Sequence, residues 1–242
     1  METSQVNIEY ILNKTKELSK VEKGTLYLVS SPIGNIEDIS FRAIYILNSV
    51  NMILAEDTRV TGFLLKKYGI KNKVLSYFSR IENDKLDFVI ENLKTGNAIA
   101  LISDSGTPLI SDPGSRLVSK CIEEGIKVMS VPGANAIMQS LVMSGVNSNN
   151  FYFQGFIPVK KSRNKTFEEF TKIKMPILIY ESKYRIYHTL RDILTHLGNV
   201  EVIISRELTK KFEQVINGKV KEILNNKNFI SKGEFTIIIN RV

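Results

Sequence analysis

The sequence predicts two α/β domains, the first built on a mostly parallel sheet and the second on a mixed one. From Gly24 onward, short apolar runs, most of them rich in β-branched residues, alternate with segments whose apolar residues recur three and four apart. A polar, turn-rich stretch, SGVNSNN (144–150), interrupts this alternation, and a second α/β series follows it. The length, 242 residues with 43% hydrophobic, suits one large or two modest domains with a sizeable core.

Residues 1–23 read as a polar amphipathic helix ahead of the first domain, which spans 24–146. In that domain GTLYLVS (24–30), NMILAED (51–57), VLSYF (74–78), NAIALISD (97–104) and KVMSVP (127–132) read as strands. Between them ISFRAIYILNSV, TGFLLKKYG, DKLDFVIENLKTG and SRLVSKCIEEG have helical periodicity, and ANAIMQSLVMSG adds a last helix ending at Gly145. Regular βα alternation of this kind predicts parallel strands covered by helices. The second domain, 151–242, opens with FYFQGFIP, a helix around NKTFEEFTKI and MPILIYES. The helix RIYHTLRDILTHLG follows, then VEVIISREL, FEQVINGKV and GEFTIIINRV, whose succession predicts antiparallel closing strands.

Charge separates the two halves. Residues 1–150 carry 16 Lys and Arg against 16 Asp and Glu, whereas 151–242 carry 17 against 9, so the whole excess of +8 lies in the second domain. A basic module beside a neutral one points to a polyanion held by the second and a small ligand by the first, or else to a solvated basic surface. The single Cys121 excludes an internal disulfide and a multi-cysteine zinc site. It shares a helical face with Leu117, Val118 and Ile122 and reads as a buried small hydrophobe. His188 and His196 fall off the apolar stripe of their helix, so no metal site is expected. No apolar run approaches the roughly 18 residues of a membrane helix, and the start METSQVNIEYILNK has neither a signal-peptide core nor a transit pattern, so a cytoplasmic protein is expected.

In open α/β sheets ligands bind beyond the carboxyl ends of the strands. After the first strand stand Ser30, Ser31, Pro32, Gly34 and Asn35; after the second, Glu56, Asp57 and Arg59. After the fourth come Asp104, Gly106, Thr107, Pro108, Ser111, Asp112 and Gly114, and after the fifth Pro132, Gly133, Ala134 and Asn135. Singly these are turn and cap signals: Asp112 and Pro113 suit a helix start, and Asp57 suits an N-cap. Four such segments at the same end of successive strands outline a ligand crevice. The chain has no G-x-G-x-x-G, no G-x-x-x-x-G-K-[ST] and no G-x-S-x-G, which excludes the dinucleotide fingerprint, the P-loop and the hydrolase elbow.

The runs GTLYLVSSPIGNIEDISFRA, ILAEDTR, ALISDSGTPLISDPGSRLV and VPGANA resemble the bacterial small-subunit ribosomal RNA methyltransferases that modify a cytidine ribose 2′-hydroxyl, a branch of the tetrapyrrole methylase superfamily. The likeness continues through FQGFIPVKK, IYESKYRI, SRELTKKFEQV and GEFTIII, from Gly24 to Ile239. Ser105 stands where alanine is common, and Ala134-Asn135 replaces the more usual Pro-Ser, which bears on contacts in that loop. The resemblance implies two α/β domains of the tetrapyrrole methylase type, with S-adenosylmethionine in the cleft between them, usually in a homodimer. That donor, a nucleoside with a sulfonium charge and no phosphates, suits a crevice rich in glycines and carboxylates. Pro32, Gly34, Asp104, Gly106, Thr107, Pro132, Gly133 and Ala134 would contact it by analogy, with Tyr180, Glu181 and Gly233–Thr236 closing the cleft from the second domain. The implied substrate is the decoding-region cytidine of 16S ribosomal RNA, alone or in the small subunit.

Methyl transfer to a ribose hydroxyl calls for an acceptor for its proton, and Glu56, Asp57 and Glu181 are the candidates, unranked. Arg59 would pair with one of them or hold a substrate phosphate. RNA contact falls to Lys160, Lys161, Arg163 and Lys165, with Lys183, Arg185, Arg206, Lys210 and Lys211. Tyr152 and Tyr184 are candidates for base stacking, as is Phe156, for which core packing is the simpler reading. Two rivals stay open: a tetrapyrrole C-methyltransferase of the same superfamily, and a non-catalytic RNA-binding module of ribosome assembly.

Overall fold

The computed structural model describes residues 13–16, 20–78, 82–147, 149–160 and 162–241. Of the amino-terminal stretch, 13–16 are helical, and the rest of the helix read over 1–23 lies largely outside the described residues. The chain forms two compact units, 1–135 and 136–242.

The first unit holds five strands, β1 (Thr25–Val29), β2 (Met52–Ala55), β3 (Val74–Ser76), β4 (Ile99–Ile102) and β5 (Lys127–Val131). They lie in the order β3-β2-β4-β1-β5, every neighbouring pair parallel. Apolar runs without alternation suit this arrangement, because helices cover both faces and the central strands β2 and β4 are buried throughout. The helices are α1 (Phe41–Ser49), α2 (Thr58–Lys67), α3 (Glu82–Lys94) and α4 (Ser115–Glu123). Ser40 caps α1 by accepting from the Ala43 amide at 3.1 Å, and Asp57 caps α2 by accepting from Arg59 at 2.8 Å. Neighbours β1 and β4 send the chain opposite ways, towards β2 and β5 respectively, so a crevice opens where their carboxyl ends meet.

The second unit begins earlier than the polar stretch at 144–150 suggests. The helix α5 (Ala136–Ser144) buries Ile137 and Leu141 against Leu178, Ile203 and Ile238, and so belongs with the strands that follow it. Those strands are β6 (Tyr152–Phe156), β7 (Ile177–Ser182), β8 (Glu201–Arg206), β9 (Gln214–Lys219) and β10 (Glu234–Ile239), in the order β6-β7-β10-β8-β9. β6 and β7 are parallel and the remaining pairs antiparallel, giving the expected mixed sheet. Its other face packs on α6 (Ser162–Lys172), α7 (Ile186–Leu197) and the short α8 (Val220–Asn225), a helix that its sequence does not announce. In the first unit Leu117 and Cys121 are fully buried as expected, but Ile122 turns outward.

Candidate functional site

Every strand of the first sheet ends at the same edge, so the connections singled out in the sequence do gather there. The β1 and β4 loops are laced together. The Ser31 amide donates to the Gly106 carbonyl at 2.9 Å, and the Gly106 amide donates back to Ser31 O at 3.2 Å and Ser31 Oγ at 3.0 Å. Gly106 holds φ +88°, a conformation that L side chains rarely adopt, and a Cβ there would press on Ile33 Cγ2 at 3.3 Å. Thr107 Oγ1 accepts from Ser30 Oγ and from Asn135 Nδ2 and donates to Ala134 O, each at 3.3 Å, so one hydroxyl ties the β4 loop to those after β1 and β5. Pro132, Gly133 and Gly34 are exposed on the rim, and Pro32 is half-buried.

Carboxylates collect beside this lacing. The Asp57 amide donates to Asp104 Oδ1 at 2.9 Å, which joins the β2 and β4 loops. Burial raises the affinity of Glu56 for its proton, and the charge of Asp104 adds to it. Asp104 is raised as well, again chiefly by burial. Asp112 rises to about 7, through burial first and then the charge of Glu56, against a hydrogen bond with Ser103 that acts the other way. Asp57 behaves oppositely: Arg59 lies 2.6 Å from its carboxylate and holds it at about 2. Glu56, Asp104 and Asp112 thus form an acidic surface on which Arg59 offsets only Asp104, whereas Asp57 is already spoken for by its cap and its arginine. The DPGSR helix start is also revised. α4 begins at Ser115 with Gly114 as its N-cap, so Asp112 is not the cap residue and instead bonds to Ser103 within the field of Glu56.

In the second unit the candidates divide between the two faces of the sheet. Tyr180 and Thr236 pair across β7 and β10, and Thr236 pairs with Ser205 across β8, so the three share the face that α5 covers. Ser205 Oγ is buried and has no hydrogen-bond partner there. Glu181 points to the opposite face. Its side chain is fully buried, pairs with Arg185 Nε at 2.9 Å, and accepts from Thr189 Oγ1 at 2.6 Å and from the Ser182 amide at 2.7 Å. A carboxylate so enclosed is an internal strut rather than a proton acceptor for an outside group. Gly233, at φ +116°, lets Glu207 pack against it, where the Glu207 carboxylate accepts from the Glu234 amide at 2.9 Å.

The basic residues divide too. Arg163 is buried, pairs with Asp192 at 2.6 Å, and donates to Thr189 Oγ1 at 2.8 Å. Arg206 is buried and donates to the carbonyls of Lys232 and Phe212. Arg185 donates to Ile157 O at 2.7 Å as well as pairing with Glu181. These three, Arg163 and Arg206 buried and Arg185 half-buried, hold the fold and are corrected from the expected RNA surface, because a guanidinium withdrawn from water needs internal acceptors and here has them. Lys210 is engaged by Glu207 at 3.1 Å and Glu234 at 2.7 Å. Lys160, Lys165 and Lys183 are exposed, and Lys161 lies outside the described residues. Phe156 is 51% exposed, against Tyr180, and is no core residue. Among the described residues no group of three or more His, Cys, Asp and Glu could hold a metal ion.

A family model described as Tetrapyrrole (Corrin/Porphyrin) Methylases matches residues 25–224. The chain belongs to the tetrapyrrole methylase family. Among relatives of this tetrapyrrole methylase, the ribosomal RNA small subunit methyltransferase I of Halalkalibacterium halodurans is 44% identical over 220 residues, 90% of this chain and 76% of that protein. Its namesake from Thermotoga maritima is 42% identical over 220 residues, 90% of this chain and 98% of that protein. Two solved structures share the fold at a TM-score of 0.63. A cobalt precorrin-4 methyltransferase is 15% identical, covering 90% of this chain and 95% of that one. A putative diphthine synthase from Entamoeba histolytica is 18% identical, covering 90% and 93%.

Two site features of this tetrapyrrole methylase escape its sequence. Asp112 lies within electrostatic reach of Glu56, and the loop before it holds Leu109 (φ 71°) and Ser111 (φ 69°) in left-handed backbone conformations, which neither residue type advertises. Glu207 and Thr209 do the same in the SRELTK segment, so within the described residues non-glycine left-handed backbone is confined to the two most distinctive motifs. Such strain costs of the order of 1–3 kcal/mol per residue and gathers where a fixed loop shape matters.

Proposed function

We propose that the chain is an S-adenosylmethionine-dependent methyltransferase that methylates the ribose 2′-hydroxyl of a cytidine in the decoding region of 16S ribosomal RNA. The observation that carries this is 42–44% identity, across 90% of the chain, to two proteins named for the small-subunit ribosomal RNA they methylate. The first unit's acidic edge fits the donor chemically. Burial raises the proton affinity of all three carboxyls, only Asp104 feeling an opposing charge, that of Arg59, and a sulfonium or ammonium charge or a ribose hydroxyl would relieve them. When bound, S-adenosylmethionine supplies an activated methyl group on a positively charged sulfur.

The chain's own task is then alignment and proton removal. Pro32, Asp104–Thr107 and Pro132–Ala134 would be the donor contacts, a reading supported by the hydrogen bonds that tie their loops together, and positioning of this kind supplies about 7–11 kcal/mol of barrier reduction. Of the three acceptor candidates Glu56 is preferred. Asp57 is held at about 2 by Arg59 and Glu181 is enclosed, whereas Glu56 is half-buried with a raised proton affinity. A positioned base contributes about 10²–10⁴-fold, so Glu56→Gln should lower kcat by that factor while donor binding persists. The second unit, with its excess of lysine, is the RNA-facing part. The resemblance also carries a cytoplasmic homodimer, for which sedimentation velocity is the test.

Mass spectrometry of small-subunit RNA from a strain lacking the gene tests target and reaction together. Loss of one 2′-O-methylcytidine, restored by the gene, supports the proposal, and an unchanged modification pattern ends it. Calorimetric titration with S-adenosylmethionine separates an enzyme from an RNA-binding module, since the module has no use for the donor.

A further inference from the structure

Strand direction gathers one set of exposed side chains at a single edge of the second unit. β6 runs parallel to β7, while β10 is antiparallel to β7 and β8, and β9 is antiparallel to β8. β6, β7 and β8 therefore end where β9 and β10 begin. Tyr184 follows β7 at this edge and is 85% exposed, with Lys183 Nζ 5.0 Å from its ring centre. Phe212, between β8 and β9, is 65% exposed, with Lys211 Nζ 5.6 Å from its ring.

The rings are exposed, but the backbones that carry them are held. The turn at Tyr184 is closed by the Arg185 amide donating to Ser182 O at 3.0 Å, and the Arg185 guanidinium ties it to Ile157. The Phe212 carbonyl accepts from buried Arg206 at 3.0 Å, and its loop is closed by Lys210 N to Glu207 O and Glu213 N to Lys210 O, both 3.0 Å. Of the nearby carboxylates Glu207 and Glu234 are committed to Lys210 and Glu213 accepts from the Thr209 amide, whereas Lys183 and Lys211 have no ion-pair partner among the described residues. Fixed aromatic faces with unpaired lysines beside them form a stacking platform for a polyanion with exposed π-faces.

We propose that Tyr184 with Lys183 and Phe212 with Lys211 are paired base-stacking platforms that grip an unpaired run of RNA, an inference that rests on the ribosomal RNA reading and narrows its substrate to single-stranded nucleotides. Tyr184 follows β7, and Phe212 lies in the connection from β8 to β9, strands that stand about 10 and 14 Å from β7 across the sheet. That spacing suits bases splayed on either side of a short segment. A duplex keeps its base faces stacked inside and offers nothing to such rings.

Fluorescence anisotropy on the full chain tests this with a labelled unpaired oligoribonucleotide and a blunt duplex of the same sequence. Tyr184→Ala and Phe212→Ala should each weaken binding of the unpaired strand by about 5- to 100-fold, with duplex binding changed less than about twofold and the salt dependence unaltered. Tyr184→Phe and Phe212→Tyr should restore affinity. Lys183→Ala and Lys211→Ala should instead reduce the slope of log affinity against log salt by about 0.7 each. Wild-type affinity in both aromatic variants, or equal losses on strand and duplex, overturns the platforms while leaving the ribosomal RNA reading intact. A wild-type chain that binds S-adenosylmethionine but neither RNA removes both.

Discussion

Replacing Asp112 with Asn should make the stability of this protein less sensitive to pH. Burial, and then the charge of Glu56, lift the Asp112 carboxyl from an ordinary 3.8 to about 7. Between those values the unfolded chain has lost its proton and the folded chain still holds it. The folded state then carries more protons, so raising the pH through this interval removes stability, and above about 8 the full cost is present. A tenfold change in proton affinity is about 1.4 kcal/mol, which sets a ceiling of about 4 kcal/mol. Asp112 is only partly buried, so solvent screening brings the expected effect down to about 1–2 kcal/mol. Asn keeps the side chain's shape and has no charge to bury. Urea unfolding at constant ionic strength from pH 4 to 9 should give a difference between variant and wild type that grows in the variant's favour from pH 5 to 8 and then levels off. Two curves that stay parallel across the whole range would refute the reasoning, because the Asp112 carboxylate would then carry no burial cost.

Arg163→Ala should cost about 3 kcal/mol of unfolding free energy by leaving Asp192 with only His188 and taking from Thr189 its donor, whereas Lys160→Ala should stay within about 0.5 kcal/mol, both read by urea titration. Equal effects would put Arg163 back on the surface. Arg59→Ala should let the Asp57 carboxyl rise from about 2 towards 3.8, followed by carboxyl-carbon NMR; a midpoint that does not move would mean the arginine is not its main partner. Cys121, fully buried with its thiol pushed up to about 11, should resist iodoacetamide at pH 8 until the protein is unfolded, and rapid alkylation of the folded chain would contradict that burial.

The sheets were legible because their signals are local. β1 to β5 coincide with the apolar runs read from the sequence to within a residue or two, most clearly at β2 and β4, since a strand buried on both faces must be apolar throughout. The position of α5 was not legible. SGVNSNN has the composition of a linker, yet the unit boundary precedes the helix before it, because Ile137 and Leu141 find their apolar partners on β7, β8 and β10. Composition reports where a chain turns, not which core a helix joins. At the site, the parallel sheet made the grouping of strand ends predictable, whereas the left-handed backbone at Leu109 and Ser111 in the loop that carries Asp112 was not.

The basic half of the chain was legible in sum and misread in detail, for a physical reason. Arginine presents five donors in a rigid plane and can satisfy several buried acceptors at once, while lysine is a compact, strongly hydrated charge that resists burial. Arg163, Arg185 and Arg206 turn inward to carboxylates, a threonine hydroxyl and loop carbonyls, and the lysines of the same segments remain outside or at the rim. The outward charge excess of the second unit is therefore largely a lysine excess. Lysines attract phosphates without reading bases, so a surface of this kind gains affinity but little discrimination from its charge. Any preference for one RNA conformation must come from what stands between the lysines, and at the edge where β7 and β8 end that means the exposed rings of Tyr184 and Phe212. On this view the inward-turned arginines serve recognition indirectly, since Arg185 and Arg206 fix the backbone on which those rings stand.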